Sequence, residues 1–517
     1  MHKTSRLFKT VLLTFGILFV SFATVSGQSF WIDEANSAAK AIQPTLSAFW
    51  AKNLQIAGSD LQMPFYMFLL WVWEKIAGSS EYILRSLNIV FFLAACLVVS
   101  HGWKGSIQSR LLLLLSFCIS PMLWIYMDEA RPYIMQFFGA TLVLVALLNT
   151  KCQLDDHLGK NLLMMCAGLF ILCGASLTGV VFSFWWALAY AYQLLRHKAF
   201  GKVFASWRLF CLVLVFSLLM LSLGGFYLWT LLQGTGASPI ASTSILTLCF
   251  SLYELFGAMG WGPDRLTLRA DEMVALQRHM LGLFLFVTSS LCFWVYGLYR
   301  LSRSRLCSSE SSVSEHGVST DLLFLLTAVA GLLCMVGVGV FWGMRTLGRH
   351  LMPLLPTILY FTSSILAEAF YTEKKKRLFS FVCVIYCLVM AFSCLSFRFS
   401  GRYTKDDYRT AISIAKKTIQ DGDTIWWAAD TAATEYYRLA VEAPRDVSET
   451  KNEFKKGCWV VPNLSSTTLA AQPAPAVIIL SKEDVYDIHG AIRQYIADNH
   501  YELVDRRPAF SFYAISP

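Results

Sequence analysis

Charge is scarce in this chain. Only 15% of its 517 residues are Asp, Glu, Lys or Arg, too few to coat the three or four water-soluble domains that such a length would otherwise suggest. No two cysteines stand in a Cys-x-x-Cys pair, and most of the 14 lie in apolar runs, as Cys96, Cys118, Cys166, Cys173, Cys211, Cys334 and Cys383 do. There they act as small hydrophobes, and the C-terminal region holds only Cys458, so neither a disulfide framework nor a cysteine-held metal is expected. Internal repeats are lacking, and low complexity is confined to a Ser/Arg loop near 302–314. Acidic residues are also outnumbered, 34 against 43 basic ones, for a net charge of +9. The basic residues fall in short clusters between apolar runs. That pattern reads as a topology signal, and nucleic acid is not expected as a partner.

What the chain has in abundance is apolar length. Its hydrophobic share is 56%, its mean hydropathy is +0.53, and 16 Trp and 21 Tyr supply side chains that gather at membrane interfaces. Lys3, Arg6 and Lys9 precede an apolar run over 10–26. A secretory signal looks similar, with small residues for cleavage at Ala23 to Gly27, but the length fits an uncleaved first span. Further spans are expected near 83–100, 111–127, 132–150, 161–178, 180–196, 209–230, 280–299, 322–342, 350–370 and 378–396, about 11 in all. Between the first two, residues 65–76 are apolar but short, as an interfacial or re-entrant helix would be.

Loop charges orient the spans. With the N-terminus in the cytoplasm, that side collects Lys104, Arg110, Lys151, Lys160, Arg196, Lys198, Lys202, Arg208, Arg300, Arg303, Arg305, Lys374, Lys375, Lys376 and Arg377 as well as the N-terminal three. The other side holds only Lys40, Lys52, Lys75, Arg131, Arg265, Arg269, Arg278, Arg345 and Arg349, over a greater length. An odd number of spans then sends 398–517 to the outer face. This part is richer in charge and turns. Helical runs at 405–419 and 488–497 alternate with strand-like runs at 424–427 and 476–480, which argues for a small α/β periplasmic domain after a transmembrane domain at 1–397.

Polar groups gather on the outer side. The first loop opens Phe30-Trp31-Ile32-Asp33-Glu34-Ala35-Asn36, two adjacent acids where a helix leaves the membrane. They could simply be a solvated helix start, favoured by the dipole, but acids at such an edge are costly and often functional. Met127-Asp128-Glu129-Ala130-Arg131-Pro132-Tyr133 repeats the theme, with an interfacial salt bridge as the ordinary alternative. Arg345, Arg349 and, at the mouth of the last span, Arg402 could snorkel or could grip a phosphate. His350 is alone, and a lone histidine is usually structural rather than a metal ligand.

In order along the chain, Trp31-x-Asp33-Glu34-Ala35, Pro64-Phe65-Tyr66 and Ser80-Glu81-Tyr82-Ile83-Leu84-Arg85 resemble the type C glycosyltransferases. Glu129-Ala130-Arg131-Pro132-Tyr133, Arg349-His350-Leu351-Met352-Pro353 and Asp406-Asp407-Tyr408 with Gly422-Asp423 extend the likeness to nearly the whole chain. It is most similar to the bacterial branch related to protein O-mannosyltransferases and the lipid A aminoarabinose transferase. The resemblance implies transfer of a hexose or pentose, with inversion, from a polyprenyl-phosphate donor to a hydroxyl of a lipid, glycan or protein on the outer face of the bacterial inner membrane. Asp33 would be the general base with Glu34 tuning it. Glu129, Arg131, Tyr133, Arg85, Arg345, Arg349 and Arg402 would serve donor phosphate or acceptor. One segment departs from the family. Gln62-Met63-Pro64 stands where many relatives carry His-Pro-Pro or a basic residue that helps hold metal or phosphate, so a divalent metal is possible but no ligand set is assigned.

A polytopic transporter or flippase is the rival reading. Transporters place ionisable groups near the bilayer midplane, whereas the spans here are almost free of charge and the acids cluster at one edge. A purely structural protein would leave Asp33 and Glu129 without a role.

Overall fold

The computed structural model describes residues 2–55, 58–150, 154–233, 243–270, 272–309, 319–371, 377–444 and 457–515, of which 2–10, 154–157, 269, 270, 272 and 304–309 by backbone alone. Lys151, Lys374, Lys375, Lys376 and the end of the 302–314 loop lie outside the described residues.

Each apolar run expected to span is helical. The helices are His2–Ala23, Glu81–Leu97, Ile107–Cys118 with Pro121–Met127, Tyr133–Thr150, Leu154–Ala175, Thr178–Arg196, Trp207–Leu232, Met280–Ser309, Thr320–Phe341, Leu355–Tyr371 and Arg377–Phe399. Among the described residues, eight helices are long and apolar enough to cross a membrane, or nine if the pair Ile107–Cys118 and Pro121–Met127, bent by 57°, is one span. This is fewer than the 11 expected. Within the residues described with side chains the first helix contributes the apolar stretch Val11–Ala23, and Thr178–Arg196 is not among the eight. The bend has a local cause: Pro121 lacks an N–H and starts a new helix, while Trp124 Nε1 donates to the Cys118 carbonyl at 2.8 Å and satisfies an end of the broken ladder.

Packing divides these helices by role. Tyr133–Thr150 is buried along almost its whole length, whereas Trp207–Leu232 buries none of its most apolar window and offers it to lipid. Tyr133–Thr150 and Leu154–Ala175 touch backbone to backbone where Gly139 meets Gly168. A Cβ on Gly139 would come within 2.9 Å of the Gly168 carbonyl oxygen, so small residues set this close crossing. In the first loop, residues 65–76 lie within a helix, Pro64–Ala77, joined there by Ile32–Ala41 and Leu46–Gln55.

The chain forms two compact units. A helical unit comprises Met1–Val25, Trp50–Leu70 and Arg85–Arg402, and an α/β unit comprises Ser26–Phe49, Trp71–Leu84 and Tyr403–Pro517. The α/β unit has a five-stranded sheet: β1 Ile425–Ala428, β2 Cys458–Val460, β3 Val477–Ser481, β4 Tyr501–Arg507 and β5 Phe510–Ile515, in the order β2-β1-β3-β5-β4. β1 runs parallel to β2 and β3, while β5 pairs antiparallel with β3 and β4. Trp426, Ile478, Leu480 and Ile492 form the core on one face.

Two first-loop segments belong to this unit by direct contact. Ile32 packs on the sheet core, and Phe30 N donates to Tyr437 Oη at 3.1 Å. Gln43 Nε2 donates to Glu435 at 3.1 Å, and Tyr437 Oη donates to Glu81 at 3.0 Å. The acidic motif is therefore carried on a helix seated in the α/β unit.

Candidate functional site

Two clusters hold the polar residues that the sequence singles out, one in each unit.

In the helical unit the centre is the turn after Pro121–Met127. Asn88 caps that short helix, donating to the carbonyls of Tyr126 and Met127 at 3.3 Å and of Glu129 at 2.6 Å. The turn fixes Glu129 and Arg131, both buried. Arg131 Nη1 donates to Asp60 at 2.6 Å and Nη2 to Ser59 at 3.2 Å. Asp60 sits in the Ser59–Gln62 turn, just before Met63 and Pro64, and Arg131 answers it. Fully buried Arg85 approaches Asp128 at 3.9 Å. The Tyr133 ring meets Tyr126 edge-on at 4.8 Å.

Arg265 completes the cluster. Its Nε donates to Glu254 Oε1 at 2.8 Å and its Nη2 to Tyr126 Oη at 2.8 Å, and Glu129 stands 3.7 Å from Nη1. Buried Glu254 also accepts from Gly348 N at 3.0 Å, which ties this carboxylate to the turn carrying Arg349 and His350. A Cβ on Gly348 would come 2.6 Å from Glu254 Cβ, so that approach requires glycine. His350 Nδ1 accepts from Leu347 N at 3.1 Å, a structural use for a histidine. The charge of Arg349 acts on both Tyr126 and His350.

Four guanidiniums (Arg85, Arg131, Arg265 and Arg349) and four carboxylates (Asp60, Asp128, Glu129 and Glu254) thus meet in one region. Burial of so many charges is tolerable only because they are paired. Arg345 and Arg402 sit differently. Arg345 is exposed, and Arg402 donates to Ser396 Oγ at 2.8 Å and the Gly260 carbonyl at 3.5 Å.

In the α/β unit Asp33 and Glu34 occupy the first turn of Ile32–Ala41, where the helix dipole favours acids. Their surroundings diverge. Glu34 is fully buried and accepts from Lys405 Nζ at 2.9 Å, whereas Asp33 is half-buried. Asp33 acts by charge on Asp430 and Tyr486. Asp430 follows β1, accepts from Ala432 N at 2.8 Å and from Asn36 Nδ2 at 3.5 Å. Burial pushes its carboxyl up from the ordinary value, aided by the like charge of Asp33 and opposed by those hydrogen bonds. Tyr408 and Tyr486 act on each other beside it, and burial raises both phenols. Lys482 pairs with Asp406 on the same side.

Sequence reading did not find Asp60, Glu254 or Asp430, and it counted Arg265 only as a loop charge. Glu254 carries a signal that could have been used: one acid inside the apolar helix Ile245–Leu255. Among the described residues no three His, Cys, Asp or Glu converge as a metal site requires, so the donor set for a divalent ion is lacking there.

Compared by sequence, the chain matches no protein-family profile and no curated protein. Compared by structure, it superposes on ArnT from Cupriavidus metallidurans in the apo state with a TM-score of 0.52 at 12% identity, over 100% of both chains. The fold is that of ArnT. Two further similarities are ArnT from the same organism bound to undecaprenyl phosphate (TM-score 0.49, 12% identity, 98% of this chain and 99% of that one) and the arabinofuranosyltransferase AftD from Mycobacteria (0.45, 12%, 99% and 40%). The ArnT-like fold, with its apolar helices and a small C-terminal α/β sheet, is the type C architecture that the motif order implies, and it makes the chain an α-helical polytopic membrane protein.

Proposed function

We propose that the chain is an integral membrane glycosyltransferase that moves a sugar from a polyprenyl-phosphate donor to an acceptor hydroxyl on the outer face of the bacterial inner membrane, inverting the anomeric centre. The observation that carries this reading is the contrast within the acidic motif: Lys405 engages Glu34, while Asp33 keeps part of its surface open. The shared fold and the order of the motifs support it.

In the reaction the acceptor oxygen attacks the anomeric carbon and Asp33 takes its proton as general base. The bond from that carbon to the phosphate oxygen breaks, and the electron pair leaves with the prenyl phosphate. Cations are needed where that charge develops. Arg131 is committed to Asp60 and Ser59, which makes it a positioning residue. Arg265, with a loose third contact to Glu129 at 3.7 Å, is the better phosphate ligand, because a phosphate oxygen can replace the weakly held carboxylate; Arg349, whose charge acts on the same Tyr126, is the second candidate. The acceptor hydroxyl belongs to a lipid, glycan or protein.

The decisive experiment incubates the purified protein with a panel of polyprenyl-phosphate sugars and follows release of prenyl phosphate. Release with one sugar, abolished in Asp33→Asn, is the expected result. No release with any donor, or full turnover in that variant, would remove the reading.

A further inference from the structure

Glu254 is the one acid in the apolar helix Ile245–Leu255, and it has no exposed surface. A carboxylate kept in such a place needs partners for both oxygens. Oε1 accepts from Arg265 Nε at 2.8 Å and also meets Nη2, while Oε2 accepts from Gly348 N at 3.0 Å. One oxygen therefore holds a side chain and the other holds a turn.

The two partners depend on it unequally. The turn over 343–350 has other fastenings: Ser251 Oγ donates to the Thr346 carbonyl at 2.9 Å, Thr346 N donates to Thr243 Oγ1 at 3.0 Å, and that hydroxyl donates to the Met344 carbonyl at 2.7 Å. Arg265 has less. Its Nη2 donates to the neutral Tyr126 Oη at 2.8 Å, and its Nη1 has Glu129 at 3.7 Å, beyond hydrogen-bond reach.

The planar fork of a guanidinium gives the carboxylate its use. Glu254 and Tyr126 are both fully buried, yet the Arg265 side chain remains 31% exposed. With Nε and Nη2 pinned in the interior, the Nη1 end is the part left to face a ligand. Arg349 follows Gly348 directly, and its charge acts on the same Tyr126. We infer that Glu254 is the positioning residue of the donor-phosphate site: it fixes Arg265 so that Nη1 meets the phosphate, and it ties that guanidinium to the turn carrying Arg349. This role rests on the reading of Arg265 as a phosphate ligand.

The full-length protein in detergent is titrated with decaprenyl phosphate, and binding is read as the concentration that protects it from thermal unfolding. Wild type should be protected. Glu254→Gln should weaken that binding about tenfold, as loss of one charge-assisted hydrogen bond to the phosphate implies. Gly348→Ala keeps the carboxylate but places a Cβ 2.6 Å from Glu254 Cβ and 2.8 Å from Oε2. It should weaken binding as well, and it decides alone if Glu254→Gln does not fold. The signature of positioning is non-additivity: Arg265→Lys should cost about tenfold alone and little more when added to Glu254→Gln. A carboxylate that only braced the fold would lower the melting temperature and leave phosphate binding unchanged. Weaker binding in Arg265→Lys, with wild-type binding in Glu254→Gln and Gly348→Ala, would overturn this role and leave Arg265 as the ligand. Equal binding by wild type and Arg265→Lys would overturn the phosphate reading of Arg265 and this role with it.

Discussion

Glu34 Oε2 and Lys405 Nζ lie 2.9 Å apart, the glutamate without exposed surface and the lysine side chain 15% exposed. This ion pair ties the helix Ile32–Ala41 to the segment that precedes Tyr408–Gln420, across 371 residues of sequence. Two adjacent acids therefore differ in work: Glu34 anchors the helix that presents Asp33.

Removal of one partner leaves a buried charge uncompensated. Glu34→Gln and Lys405→Met should each lower stability by about 3–5 kcal/mol, and the double variant should be destabilised by less than their sum. Thermal unfolding in detergent measures all three, and additive effects would separate the two residues energetically.

Asp33→Asn should behave in the opposite way. Its cost to stability is that of one acid in a first turn, about 0.3–1 kcal/mol, while turnover falls by about 10²–10⁴ if it is the general base. A rate assay beside a melting curve distinguishes chemistry from folding: a fall in both together would make Asp33 a second anchor.

Asp430 predicts a pH dependence. Its folded pKa is raised by burial, so the native state holds the proton more tightly than the unfolded chain. The stability it contributes is present below the ordinary carboxylate pKa and is lost as pH rises through the folded value. Melting temperature followed upward from the ordinary carboxylate pKa should decline on this account, and Asp430→Asn should flatten the decline and be the more stable protein at the upper end.

Orientation can be read directly. Reporter fusions after Lys104, Lys151, Arg303 and Lys376 should report cytoplasm, and a fusion after Pro517 should report the outer side, since basic residues concentrate on one set of loops. A cytoplasmic C-terminus would reverse the assignment of Asp33 to the outer face.

The parts of this molecule that sequence displays are those set by local chemistry. Apolar runs became helices because lipid leaves the backbone no other partner, and the expected strands at 424–427 and 476–480 appear as β1 and β3 within a residue of those bounds. β2, β4 and β5 were not visible. β4 reads Tyr-Glu-Leu-Val-Asp-Arg-Arg, with most of its side chains exposed, so it lacks the apolar signature of a buried strand. The clusters were half legible for a related reason. Glu129 and Arg131 stand together in one loop, but their partners are distant in sequence: Asp60 lies 71 residues before Arg131, and Gly348 reaches Glu254 across 94. Pairings of that kind come from tertiary packing, and no local pattern announces them.

Arg265 and Arg402 offer the sharpest test of which arginines meet the donor. Arg265 joins Glu254, Tyr126 and Glu129 through one guanidinium, and a lysine cannot reproduce that fork. Arg265→Lys should raise the KM for the polyprenyl-phosphate donor and lower kcat together, by about tenfold or more where a charge-assisted hydrogen bond to the phosphate is broken. Arg402, bonded to Ser396 and the Gly260 carbonyl, should on replacement by Lys or Gln change the melting temperature and leave the donor KM unchanged. Steady-state rates over a donor series, with prenyl phosphate added as product inhibitor, separate the outcomes, because a phosphate ligand must also weaken product inhibition. If Arg402→Gln weakens that inhibition and Arg265→Lys does not, the phosphate site belongs at the end of Arg377–Phe399 rather than at the Tyr126 turn.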